Sequence, residues 1–279
     1  MSTIHASDIA LSADDDHAWT LLARLPDAPQ AALLWLPALG VAARHYLPFA
    51  EVLAERGVAV FVHEWRGNGS SSLRPDREHD WGYREILTID LPLSRQALAE
   101  RLPGQPCYIG GHSLGGQLAC CHAALNPQDY AQLWLVASGS PYWRSFPSPR
   151  RYLLPPLYRF LPWLAQRRGR LNGRRLGFGG VESRGLIRDW ARVGLTGRYA
   201  AAGMDVDFEA ALSALAIPVH GVLLADDWLA PVGSLKALTG KLAPAQSKVI
   251  GLDAAQLGAR ADHFAWMKQP GKVVDCLLE

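Results

Sequence analysis

The amino-acid sequence predicts an α/β fold, a mostly parallel sheet with helices on both faces. Short, almost unbroken apolar runs of strand length recur along the chain, as expected of strands buried on both faces. Segments with helical spacing lie between them. One run passes through glycines straight into a small-residue helix, "CYIGGHSLGGQLACCHAAL", Cys107 to Leu125. With 279 residues, 49% of them hydrophobic, the chain can fill a sizeable core.

Taken in order, a polar start precedes a strand at Ala18 to Leu25 and a fully buried one at Ala31 to Pro37. A helix follows from Pro48 to Arg56 and stops at Gly57. Further strands are read at "VAVFVHEW" (58–65), "PCYIGG" (106–111), "QLWLVASG" (132–139), "IPVHGVLLA" (217–225) and "SKVIGL" (247–252). The intervening helices are expected at Leu87 to Arg101, Gly115 to Leu125 and Gly233 to Leu242. This divides the chain into a core, 1–140 with 212–279, and an insertion, 141–211, that breaks the alternation.

The insertion has its own composition. From Arg144 to Arg198 it holds 13 arginines, no lysine and only Glu182 and Asp189 as acids, among aromatics such as Tyr152, Phe160 and Trp163. The resulting +11 leaves −9 for the remainder of a chain whose total is +2. Arginine pairs bidentately with carboxylates and stacks on rings. The expected contact is therefore anionic or flat: an acidic substrate group, an acidic protein or a membrane surface.

The first twenty residues, with Asp8 and the run Asp14, Asp15, Asp16, lack the basic-then-apolar order of a secretory leader. No apolar run reaches the roughly 18 residues of a membrane span. Cys107, Cys120, Cys121 and Cys276 show neither a disulfide framework nor metal-ligand spacing, so a reducing cytoplasm is the simplest expected location.

The glycines around Ser113 explain the opening stretch. A strand that turns sharply into a helix leaves the turn residue projecting from the carboxyl end of the sheet. It also crowds the positions two before and two after, here Gly111 and Gly115, while Gly110 and Gly116 relieve the packing further. Unpaired N–H groups at the helix start suit an oxyanion next to Ser113. A phosphate loop is the weaker reading, because the stretch has neither a Walker lysine nor the G-x-G-x-x-G spacing.

A serine hydroxyl attacks only if a base takes its proton, and the imidazole base needs a carboxylate to hold its tautomer. Asp226 and Asp227 follow a late buried strand, and His263 follows the last one. Either aspartate fits, and Glu64 is a third candidate. His63, near a strand end, is a possible pocket residue. His112 is read as packing or hydrogen bonding within the turn, and His220 as a satisfied core histidine.

These residues, in the order serine, aspartate, histidine, resemble the α/β-hydrolase superfamily, near its serine-aminopeptidase-like branch, over nearly the whole chain. Ser113 in "GHSLGG" matches the nucleophile elbow, Asp227 with Pro231 matches the D-x-x-x-P turn, and His263 in "DHFAW" matches the late histidine. "RGNGSS", Arg66 to Ser71, resembles the supporting loop after the family's fourth strand. The insertion falls where the family places a helical lid. Pro37-Ala38 replaces the family's His-Gly, so the oxyanion donors, the amides of Leu39 and Leu114, are assigned by position. The resemblance implies a serine esterase or thioesterase acting on a small acyl substrate, which the arginine-rich insertion would allow to be anionic. It needs no cofactor, metal or nucleic acid. An acyltransferase, a peptidase or an inactive binding protein are the alternatives.

Overall fold

The computed structural model describes residues 3–176 and 179–279, so that Gly177 and Phe178 of the insertion lie outside it. Eleven strands are described: β1 (Ile4–Ala6), β2 (Ile9–Ser12), β3 (Ala18–Pro26), β4 (Ala31–Leu36), β5 (Val58–Val62), β6 (Cys107–His112), β7 (Gln132–Val136), β8 (Leu171–Asn172), β9 (Val181–Glu182), β10 (Val219–Leu224) and β11 (Ser247–Leu252). The helices are α1 (Leu47–Glu55), α2 (Tyr83–Glu85), α3 (Leu91–Arg101), α4 (Leu114–Leu125), α5 (Leu154–Arg168), α6 (Arg184–Thr196), α7 (Phe208–Ala214), α8 (Val232–Thr239), α9 (Ala254–Leu257) and α10 (Gly271–Leu278).

The main sheet runs β1-β3-β5-β4-β6-β7-β10-β11, with β2 paired to β3. From β5 to β11 every pairing is parallel, while β1, β2 and β3 join antiparallel. The apolar runs explain the central strands, because each strand serves two cores by alternation. On β4, Leu34 and Leu36 face one core and Leu33 and Trp35 the other. Helices α3 and α4 close the first face; α1 and α10 close the second.

The expected elements are present with shifted ends, β5 stopping at Val62 instead of Trp65 and α8 at Thr239 instead of Leu242, and with three further differences. The polar start forms β1 and β2, whose half-exposed side chains give no apolar run to read. The helix read from Leu87 begins at Tyr83 and contains a π turn at Ile86–Asp90. "QLWLVASG" stops pairing at Val136, because Ala137 turns to φ 45°. Between β7 and β10 the chain supplies α5, α6, α7 and the small β8–β9 hairpin. Helix α6 is capped by Ser183, whose hydroxyl accepts the Leu186 N–H, and ends at Gly197 in the left-handed region. Among the described residues no helix is long and apolar enough to cross a membrane.

Candidate active site

Strand β6 runs directly into α4, and the one residue between them, Ser113, sits at φ 56° and ψ −119°. Holding an L residue there costs about 1–3 kcal/mol, so the surroundings must enforce it. The Ser113 N–H donates to the Val136 carbonyl at 3.2 Å, and the Ser113 carbonyl accepts the Ser138 hydroxyl at 2.7 Å. A Cβ on Gly111 would overlap the main chain of Gly115 and Gly116; one on Gly115 would overlap the Leu36 and Pro37 carbonyls. The glycines thus let three backbone segments meet at the serine.

His263 Nδ1 lies 2.7 Å from Asp227 Oδ2, and both side chains are buried. The other carboxylate oxygen accepts the amides of Leu229 at 2.8 Å and Ala230 at 3.1 Å. Both Asp227 oxygens are therefore occupied, and the carboxylate cannot rotate without losing hydrogen bonds. A proton on Nδ1 facing Asp227 leaves the Nε2 lone pair as the ring's free acceptor. The ring itself packs between His112 and Phe264, with centroids 4.6 and 4.8 Å away.

The alternative acids are placed elsewhere. Asp226 is exposed and lines an adjoining cavity of about 630 Å³ with His45, Arg260 and Lys268, which shares Trp228, Leu229, His263 and Phe264 with the Ser113 cavity, but its carboxylate makes no hydrogen bond to His263 among the described residues. Glu64 is buried, and its carboxylate accepts the amides of Ala43 and Ser70, each at 3.1 Å, tying the loop after β4 to the "RGNGSS" loop. Burial pushes its carboxyl up against those two hydrogen bonds. His63 is fully buried against the Ser94 hydroxyl at 2.9 Å, and burial lowers it to about 3, so it stays neutral. His220 Nδ1–H donates to the Leu277 carbonyl at 2.8 Å, which fixes its tautomer.

Two buried groups escaped sequence reasoning. The Tyr46 hydroxyl accepts the Ala38 N–H at 2.9 Å and meets His112 Nδ1 at 2.8 Å. Its single proton is free to go to His112, which burial and the neighbouring His263 hold well below the usual imidazole range. The loop carrying Leu39 is thereby tied to the residue preceding Ser113. The second group is Asp90, whose carboxylate accepts two bonds of 2.7 Å from Arg66, while His17 Nδ1 stands 3.1 Å from it. Burial pushes the Asp90 carboxyl up, but the bonds from His17 and Arg66 outweigh it and hold it below the ordinary range. The "RGNGSS" loop is anchored here, beneath the site. Neither pair has a local pattern, because Tyr46 and His112 are 66 residues apart and His17 and Asp90 are 73.

A cavity of about 720 Å³ brings Ser113, His263, Leu39 and Leu114 to one wall. The same cavity is also lined by residues between β7 and β10, Phe146, Leu157, Tyr158, Phe160, Leu161 and Trp190. Arg174 is a charged residue among these apolar ones.

The model of the serine aminopeptidase (S33) family of hydrolases matches residues 27–191, from just before β4 into α6. The chain belongs to this family. Its fold is that of the α/β hydrolases, as the solved structures also show. A hydrolase from Pseudomonas aeruginosa is similar at TM-score 0.64, with 17% identity and 98% and 97% of the two chains covered. The thioesterase domain of the curacin biosynthetic pathway is similar at TM-score 0.62, with 15% identity, covering 99% of this chain and 100% of that one. In sequence, the hydrolase is 32% identical over 148 residues to the chloroplastic pheophytinase of Arabidopsis thaliana. That match covers 45% of this chain and 30% of the plant protein.

Proposed function

We propose that this hydrolase cleaves carboxylic esters or thioesters through an acyl-enzyme on Ser113. The observation that carries the reading is the conjunction at one cavity wall of a serine held at φ 56° and a histidine tied at 2.7 Å to a buried carboxylate. His263 Nε2 takes the Ser113 hydroxyl proton as Oγ attacks the substrate carbonyl carbon. The amides of Leu39 and Leu114 hold the resulting oxyanion, and Asp227 stabilises the imidazolium. Collapse breaks the ester or thioester bond, and His263 protonates the departing alkoxide or thiolate. Water, deprotonated by His263, then attacks the acyl carbon, releasing the acid and restoring Ser113.

Residues 141–211 act as a lid in this reading, with α5 and α6 forming the wall against which the acyl group packs. The apolar lining favours an acyl chain or ring over a charged one, and among the described lining residues Arg174 is the cationic side chain able to meet an anionic end. The pheophytinase likeness covers too little of that protein to carry its substrate across. The four cysteines are all free and buried, which suits a reducing cytoplasm.

A fluorophosphonate serine probe tests the reading. The wild type should be labelled and should turn over short and medium p-nitrophenyl esters, and Ser113→Ala should do neither. A folded wild type that is neither labelled nor active would sink the proposal.

A further inference from the structure

The solvent side of α5 is apolar. Leu153 just before the helix, then Leu157, Phe160 and Trp163, recur at helical spacing and are 72%, 41%, 47% and 55% exposed. A helix in a water-soluble domain ordinarily shows polar residues there, so a stripe of this kind marks a contact surface. Leu157 and Phe160 also line the cavity holding Ser113, which makes the stripe continuous with the cavity. Trp228 and Phe264, which line the same cavity, are exposed as well, 56% and 44%.

Guanidinium groups fringe this surface. Arg167 lies over the Trp163 ring at 5.7 Å, Arg151 over Tyr152 at 4.9 Å, and Arg150 over Trp228 at 5.8 Å. The only acids between Arg144 and Arg198, Glu182 and Asp189, are 2% and 1% exposed. Among the described residues none of Arg150, Arg151, Arg159, Arg167 or Arg168 is paired with a carboxylate, because the ion pairs of this segment involve Arg184 and Arg188. Within the segment itself the exposed charge is therefore of one sign.

We propose that this face docks on an anionic phospholipid surface. Apolar and aromatic side chains with arginines at their edge enter the interface while the guanidiniums stay at the headgroup phosphates, where each contributes independently. The charge distribution orients the molecule: the +11 segment is drawn to an anionic surface that repels the remaining −9. A second copy of the chain is a poor occupant, because a two-fold contact would set this cationic patch against itself. The proposal goes beyond the reaction at Ser113 and does not depend on it. Where both hold, an apolar ester would pass from the bilayer into the cavity along Leu157 and Phe160.

Vesicle flotation of the full chain tests this, with phosphatidylcholine vesicles made with and without phosphatidylglycerol. The wild type and Ser113→Ala should float with the phosphatidylglycerol vesicles, less so as salt rises. At about 1 kcal/mol per arginine, the triple variant Arg159→Gln, Arg167→Gln, Arg168→Gln should partition on the order of a hundredfold more weakly. The double variant Leu153→Ser, Trp163→Ser should lose the binding that survives high salt. Both should keep the wild-type turnover of a water-soluble ester, which separates lost docking from lost folding or lost chemistry. Absence of flotation at low salt would overturn the proposal. So would unchanged binding of the double variant, which would mean plain electrostatic adhesion, or a dimer that dissociates in that variant without vesicle binding.

Discussion

Replacing Tyr46 by Phe removes one hydroxyl from a fully buried position and tests whether the oxyanion loop is held by the network beneath it. The hydroxyl oxygen accepts the Ala38 N–H at 2.9 Å and meets His112 Nδ1 at 2.8 Å. Tyr46 and His112 are wholly buried and Ala38 is 2% exposed, so neither orphaned partner gains water in exchange. The space left by one hydroxyl is smaller than a water molecule requires. Each unsatisfied buried group costs about 1–3 kcal/mol, which sets the expected loss of stability at about 2–5 kcal/mol. The catalytic effect is separate. Ala38 precedes Leu39, and losing an oxyanion donor outright typically costs about a hundred- to a thousandfold in kcat, so a loosened donor should cost about ten- to a hundredfold. Because the oxyanion exists only in the transition state and the intermediates near it, the loss should fall on kcat with KM little changed. Urea unfolding at constant m-value and steady-state kinetics on a p-nitrophenyl ester measure the two effects. A stability change under about 0.5 kcal/mol would refute the buried-network argument. Lost stability with unchanged kcat would refute the link between that network and Leu39.

Other substitutions separate neighbouring roles. Asp227→Asn should lower kcat by about ten-thousandfold, since an amide no longer holds the His263 tautomer, whereas Asp226→Asn, whose exposed carboxylate is not the one bonded to His263, should stay within a few-fold; equal losses would contradict the assignment. Gly115→Ala should prevent folding or remove activity, because the added Cβ meets the Leu36 carbonyl rather than a flexible side chain; soluble, fully active protein would show that the three backbone segments are not as close as described. Glu182, buried in the β8–β9 hairpin with its carboxylate accepting the Gly180 N–H at 2.7 Å, is pushed by burial up to about 7. The folded state then binds more protons than the unfolded one between about pH 4.5 and 7, and stability falls as pH rises through that window, by about 3 kcal/mol in all. Glu182→Gln should flatten this, its advantage over wild type growing from pH 5 to 8 in denaturant titrations; a pH-independent difference would count against a protonated Glu182.

Much of the sheet was legible because burial on both faces writes itself as local composition. "AALLWL" and "VAVFV" have no other reading at strand length, whereas their order in the sheet, with β4 between β5 and β6, is set by the tertiary structure. The polar, half-exposed β1 and β2 leave no such record, and they are held by pairing to β3 rather than by their own side chains. The π turn at Ile86–Asp90 was equally silent, since nothing local announces that Asp90 must reach Arg66 and His17.

At the site, the sequence by itself determined the elbow, because the steric demand of a strand-to-helix turn acts on residues within two positions of Ser113. Only the tertiary structure shows which of Asp226 and Asp227 meets His263. Adjacent residues in one turn carry the same chemistry, and the difference lies in which carboxylate meets His263, 36 residues later, and the amides of Leu229 and Ala230. The tie from Tyr46 to His112 and the apolar face of α5 were decided at the same level. A hydrogen bond between distant segments has no period, and helical spacing tells which residues share a face but not whether that face meets the core or the solvent.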